Sequence, residues 1–193
     1  MQHADGRRLV EQALVFASIV LGVAVAFELG HLNGVLRSDR VKWHWAQPAF
    51  ALFVLLTIIS YWWMAAAKGD GPITLGEFLP IMLQLVLLVL LAAVSLPDRI
   101  DEDGVDLAEY YQRNRRYQWL LMALYMWSLH ISYLVYSAQN TDSIGQFLRV
   151  TALDTVAGLV MIAMIFARSW SLVALGFLVL AVGPILWIGR SIG

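Results

Sequence analysis

Apolar residues run through this chain in six long blocks, at about residues 10–36, 45–67, 75–96, 117–137, 147–167 and 170–188, with short polar breaks between them. A helix needs about 20 mostly apolar residues to cross the roughly 30 Å hydrocarbon core of a bilayer, at about 1.5 Å of rise per residue. The blocks have that length, so the pattern predicts an all-α polytopic membrane protein: six transmembrane helices in one bundle, forming a single domain over residues 1–193. The first block is far longer than the apolar core of a cleavable signal peptide and reads as a span.

The breaks carry their own signals. Thr74-Leu75-Gly76-Glu77 reads as a capping box that opens the third helix after the Gly69-Asp70-Gly71-Pro72 turn. Pro97 closes that helix, because the residue before a proline is pushed out of the α region. The one substantial segment outside the spans is a charged loop at 98–116, acidic at its start and basic at its end (Arg113, Arg115, Arg116). From about Leu107 it is expected to extend the fourth helix. So short a segment leaves no room for a soluble catalytic domain.

Composition agrees. Apolar residues make up 60% of the chain and charged residues 14%, against roughly a quarter charged in soluble domains. With no cysteine, disulfides and thiolate metal centres are excluded. A net charge of −1 gives no basic excess for a nucleic-acid partner. Lys and Arg divide eight against five between the two sides, with Arg37, Arg40, Lys42, Arg99, Arg113, Arg115, Arg116 and Arg168 on the richer one. The positive-inside rule then puts that side inside and both termini outside. Arginine outnumbers lysine eleven to two, a usage of GC-rich bacterial genomes, so the expected location is a bacterial inner membrane. Trp43, Trp45, Trp62, Trp63, Trp119, Trp170 and Trp187 fall near span ends, as an interfacial belt would; Trp127 is mid-span. The chain has no convincing internal repeat.

Ionisable side chains at depth in a bilayer are costly and point to function first. Glu28 and His31 in the first span, His130 in the fourth and Asp154 in the fifth are such residues, with Gln84 in the third as a neutral member. Counted from the span midpoints, Gln84, His130 and Asp154 fall within about 5 Å of the midplane on one level. Thr151, Ser132 and the backbone freed by Pro184 lie near it. Asp154 and His130 are therefore either a proton- or cation-handling pair, a hydrogen-bonded packing pair, or residues that face apart. Glu28-Leu29-Gly30-His31 places a carboxylate and an imidazole on one helix face, with Glu28 roughly 6 Å from the midplane. A di-iron bundle would need a second such motif and further glutamates, which are lacking. For a bis-histidine haem only His31 and His44 share a level; a cofactor reading predicts a coloured preparation, and no cofactor is expected.

Ser18, Gly22, Ala26, Gly30 and Gly34 recur every four residues along the first span. Such a seam lets helix backbones approach closely, either inside the protomer or against a second copy. The third span, almost entirely Leu, Val and Ile before Ala92, suits lipid contact with Gln84 turned inward.

Leu21-Gly22-Val23-Ala24, Gly30-His31-Leu32, Arg37, Arg40, Trp43-His44-Trp45, Tyr61-Trp62-Trp63 and the approach from Asp106-Leu107 through Tyr110-Tyr111 to Arg115-Arg116 resemble a family of uncharacterised small six-helix bacterial membrane proteins, over about a third of the chain. In size and helix count the chain is also similar to bacterial relatives of the lysosomal six-helix potassium channel, which assemble as tetramers. Their Phe-Ser-Asp triplet has its nearest counterpart in Phe16-Ala17-Ser18, which lacks the aspartate and the preceding arginine.

These readings converge on an integral membrane protein, expected to be a homo-oligomer, that conducts or senses a small cation or proton. Asp154 is the intramembrane anion, His130 its titratable partner and Glu28 a second carboxylate. The alternatives are a non-catalytic accessory subunit bound to another membrane protein, or a redox protein. No enzymatic motif stands out.

Overall fold

A computed structural model describes the backbone of residues 2–66 and 75–188, and the side chains of residues 15–65, 76 and 78–183. Among the described residues the chain is all-helical apart from one minimal strand pair. In order it forms α1 (Gln2–Arg37), β1 (Val41–Lys42), α2 (Ala46–Ala66), α3 (Leu75–Val94), β2 (Val105–Asp106), α4 (Leu107–Asn140), α5 (Ile144–Phe166) and α6 (Trp170–Ile188). Among the described residues four helices are long and apolar enough to cross a membrane: α1 over Val15–Arg37, α2 over Ala46–Ala65, α4 and α5. The apolar stretches of α3 (Phe78–Val94) and α6 (Trp170–Gly183) are shorter. Thr74 of the expected capping box and the Gly69–Pro72 turn lie outside the described residues, as do the side chains of Glu77, Pro184 and Trp187.

The chain divides into two compact units, Met1–Tyr110 and Tyr111–Ser191. In the first, α1 packs against both α2 and α3. Apolar side chains from all three fill the interior: Ala24, Phe50, Val54, Leu88 and Leu91 are buried. One end of this unit is closed by a cap. Parallel pairing of Val41 with Val105 and Lys42 with Asp106 ties the segment after α1 to the segment after α3. Under it Val35, Ala51, Leu96 and Leu107 form an apolar cluster joined by Leu32, Ile100 and Val105. Gly104 makes the closure possible. Its φ of +83° suits glycine, and an added Cβ would run into the Arg40 carbonyl.

α4 begins at Leu107, where the sequence places its extension, because Asp106 caps it. The Asp106 Oδ1 accepts from the N–H groups of Ala108 (2.9 Å) and Glu109 (3.2 Å). Tyr110 then donates to the carbonyl oxygens of Val94 (3.3 Å) and Leu96 (3.2 Å), which holds the end of α3.

In the second unit α5 packs on α6, and Met164 of α5 sits against Gly176 of α6. Trp119 corrects the reading of the tryptophans as an interfacial belt. It is fully buried, donates from Nε1 to the Tyr111 hydroxyl (2.9 Å) and meets Phe177 edge-on at 5.5 Å. Trp43, Trp45, Trp62 and Trp63 are exposed, as a belt requires. Trp127 fits against Gly158, whose carbonyl oxygen lies 3.4 Å from its Nε1.

The small-residue seam lies open. Ser18, Gly22, Ala26, Gly30 and Gly34 are all exposed, and a Cβ added at Gly22, Gly30 or Gly34 would meet nothing within 4 Å.

Candidate functional site

Glu28 is the centre of the first unit's polar cluster. Only 2% of its surface is exposed, and Ser95 Oγ lies 2.5 Å from its Oε2. Gln47, fully buried, donates from Nε2 to the Ser95 carbonyl oxygen. Three helices thus meet at one serine: Glu28 comes from α1, Gln47 from the first turn of α2, and Ser95 directly follows α3. Ser95 Oγ is also 3.0 Å from the Ala92 carbonyl oxygen. A hydroxyl has one proton, so it donates either to a Glu28 carboxylate or to Ala92. In the second case a proton on Glu28 completes the chain, with Glu28 donating to Ser95 and Ser95 to Ala92. The site accommodates both protonation states without moving a heavy atom.

Two acceptors remain unmatched. Glu28 Oε1 and Gln47 Oε1 are buried without a hydrogen-bond partner, and no described cation pairs with Glu28. Buried polar atoms are nearly always satisfied, so two such acceptors in one cluster set it apart from the apolar packing around it. The partners of Glu28 sit at the ends of α2 and α3. Beyond Glu28, α1 continues for roughly nine residues, about 13 Å, to Arg37 under the cap.

That overhang forms a cleft of about 460 Å³ with the cap, lined among others by Gly30, His31, Ser38, Arg40, Pro97 and Asp101. His31 stands one turn from Glu28 and lines this cleft, with its Nδ1 buried and unpartnered and its ring 6.2 Å from Phe27. No hydrogen bond joins His31 to Glu28. His44 does not pair with His31 either; its Nδ1 accepts from the N–H of Ala46 at 3.4 Å. Among the described residues no group of three His, Asp or Glu side chains is placed to hold a metal ion.

In the second unit, His130 is buried and its Nε2 lies 2.8 Å from Thr155 Oγ1. Thr155 gives its own proton to the Thr151 carbonyl (2.8 Å), and Thr151 gives its proton to Phe147 (2.8 Å). His130 Nε2 thus meets the head of a threonine chain that runs back along α5, and His130 Nδ1 is buried without a hydrogen-bond partner. Trp127 stands edge-on to that ring at 5.5 Å. Asp154, the expected partner of His130, is half-buried and bonded to no described residue; its neighbour Thr155 takes the histidine instead. Ser132 bonds Ser128 along its own helix at 3.4 Å. Gln84 is buried in α3 of the first unit.

Sequence reasoning missed Gln47, Ser95 and Thr155. Each is a neutral polar residue, and two sit where a helix begins or ends and read as boundary residues. A usable signal was present for Thr155, which repeats Thr151 one turn on.

Compared with known protein families, curated proteins and solved structures, the chain matches none. Its function therefore rests on the chemistry of these groups.

Proposed function

We propose that this protein is a six-crossing protein of a bacterial inner membrane that takes up and releases a proton or small cation at Glu28. The observation that carries the reading is the Glu28 carboxyl group, buried among apolar helices with one oxygen unpartnered and no counter-charge in contact. A bare carboxylate in such surroundings costs far more than a neutral group, so Glu28 holds a proton or shares a cation. The cleft reaches His31, one turn away, and Ser95 accepts either protonation state of Glu28. His130, with Thr155, Thr151 and Asp154, is a second group of the same kind in the other unit, and Gln84 is a neutral polar member of the first.

The test is flux through full-length protein in liposomes across H⁺, Na⁺ and K⁺ gradients. Wild type is expected to carry one of these ions, Glu28→Gln to abolish the flux, and Asp154→Asn to lower it. Unchanged flux in Glu28→Gln would overturn the role of that residue.

The open seam on α1 favours a second reading, in which this helix packs on a second copy or on another membrane protein as an accessory subunit. Because the chain has no cysteine, Ala26→Cys gives a single thiol. A disulfide-linked dimer formed in native membranes supports self-association. Monomer that co-purifies with a distinct membrane protein supports the accessory role.

A further inference from the structure

Four arginines surround one recess of the second unit. Arg113, Arg115, Arg116 and Arg168, with Gln112, line a pocket of about 410 Å³, and no acidic residue lines it. Like charges this close repel, and Arg116 and Arg168 are near enough to act on Arg115. The chain nevertheless builds the arrangement with specific bonds. Arg115 is buried; its Nε donates to the Ile165 carbonyl oxygen (3.2 Å) and its Nη1 to Gln112 Oε1 (2.7 Å). Gln112 in turn donates from Nε2 to the Arg168 carbonyl oxygen at 3.2 Å. Ile165 belongs to the last turn of α5, whose carbonyls have no partner within the helix, so Arg115 serves as that turn's cation. This fixes Arg168 beside the first turns of α4.

Among the described residues, the side chains of Arg113, Arg116 and Arg168 make no ion pair or hydrogen bond. A recess that gathers four guanidinium groups, holds one in place and supplies no carboxylate is arranged for an anion from outside the chain. Guanidinium forks match the oxygens of phosphate in particular. The location indicates the source: α4 is 34 residues long, and its first turns are the charged ones, next to the apolar stretch that follows Tyr117. Basic recesses at the ends of membrane helices meet the headgroup layer.

We propose that the Arg113–Arg115–Arg116–Arg168 recess binds the phosphate of an anionic lipid headgroup. The same chemistry would accept a free phosphate, so the experiment separates the two. Purified full-length protein is loaded with phosphatidylglycerol or phosphatidylcholine, and retained lipid is counted by native mass spectrometry, with and without excess inorganic phosphate. The informative variant is Arg116→Gln with Arg168→Gln, because both side chains are exposed and unbonded and Arg115 is left to hold α5. Arg99→Gln, an exposed arginine of the first unit, is the control.

Wild type is expected to retain phosphatidylglycerol over phosphatidylcholine. Each charge removed weakens that retention about fivefold, so the double variant loses about twenty-fivefold, and the control stays within about twofold. Equal retention of the two lipids, or a double variant that behaves as wild type, overturns the proposal. Inorganic phosphate that stabilises wild type against heating where phosphatidylglycerol does not would assign the recess to a soluble anion and overturn the lipid as its source.

Discussion

Replacing Ser95 by alanine removes the one side chain among the described residues that hydrogen-bonds to Glu28. Its hydroxyl lies 2.5 Å from Glu28 Oε2, and the other carboxyl oxygen already lacks a partner. Interhelical hydrogen bonds in bilayers are worth about 0.6 kcal/mol on average and about 1.7 at most, since the unfolded chain also finds partners. A carboxyl stripped of its last partner belongs at the upper end of that range. The expected loss is therefore about 1.5 kcal/mol, roughly a tenfold shift in the folding equilibrium. Glu28→Leu removes the same bond together with the orphaned oxygen, so it takes away the group that Ser95→Ala leaves stranded. The double variant should cost less than the sum of the singles by about 1 kcal/mol. Reversible unfolding in mixed micelles, titrated with a denaturing detergent, measures all three. Additivity within about 0.3 kcal/mol would refute the reasoning and mean that Ser95 spends its proton on Ala92 alone.

Other outcomes follow from the same contacts. Gly158→Ala places a Cβ 3.1 Å from the rigid Trp127 indole, so it is expected to cost about 1–2 kcal/mol and to shift the tryptophan emission. Trp119→Phe leaves a smaller ring in a fully buried site and takes the donor from the Tyr111 hydroxyl; a loss of about 2 kcal/mol in the same titration is expected. Gly104→Ala combines an unfavourable positive φ with a clash against the Arg40 carbonyl, so faster proteolysis of the cap segment is expected, with a stability loss above about 2 kcal/mol.

Helix content was legible in the sequence because a bilayer admits few alternatives: long apolar blocks with short polar breaks have to be helices. The start of α4 near Leu107 could be read for the same reason. The tertiary level was not legible. The meeting of Glu28 with Ser95 and Gln47 could not be read, because nothing in the sequence sets the rotation of α1 against the ends of α2 and α3. His130 meets the residue after Asp154, a rotation of one position that composition does not record. Ser95 went unnoticed because a serine between apolar residues before a proline reads as a helix stop. The seam on α1 was evident as a pattern, whereas the side it faces depends on packing.

The clasp between the segments after α1 and α3 also has a timing of its own. Arg40 Nη1 donates to the Glu102 carbonyl oxygen across 62 residues of chain, and Val105 N–H reaches back to the Arg40 carbonyl oxygen. At synthesis rates of about 5–20 residues per second, the second half of this clasp leaves the ribosome about 3–12 s after the first. From the completion of α2 until Ser95 emerges, Gln47 lacks the Ser95 carbonyl and Glu28 lacks its hydroxyl. The nascent chain therefore carries the Glu28 carboxyl group without its serine partner until the end of α3 has been made.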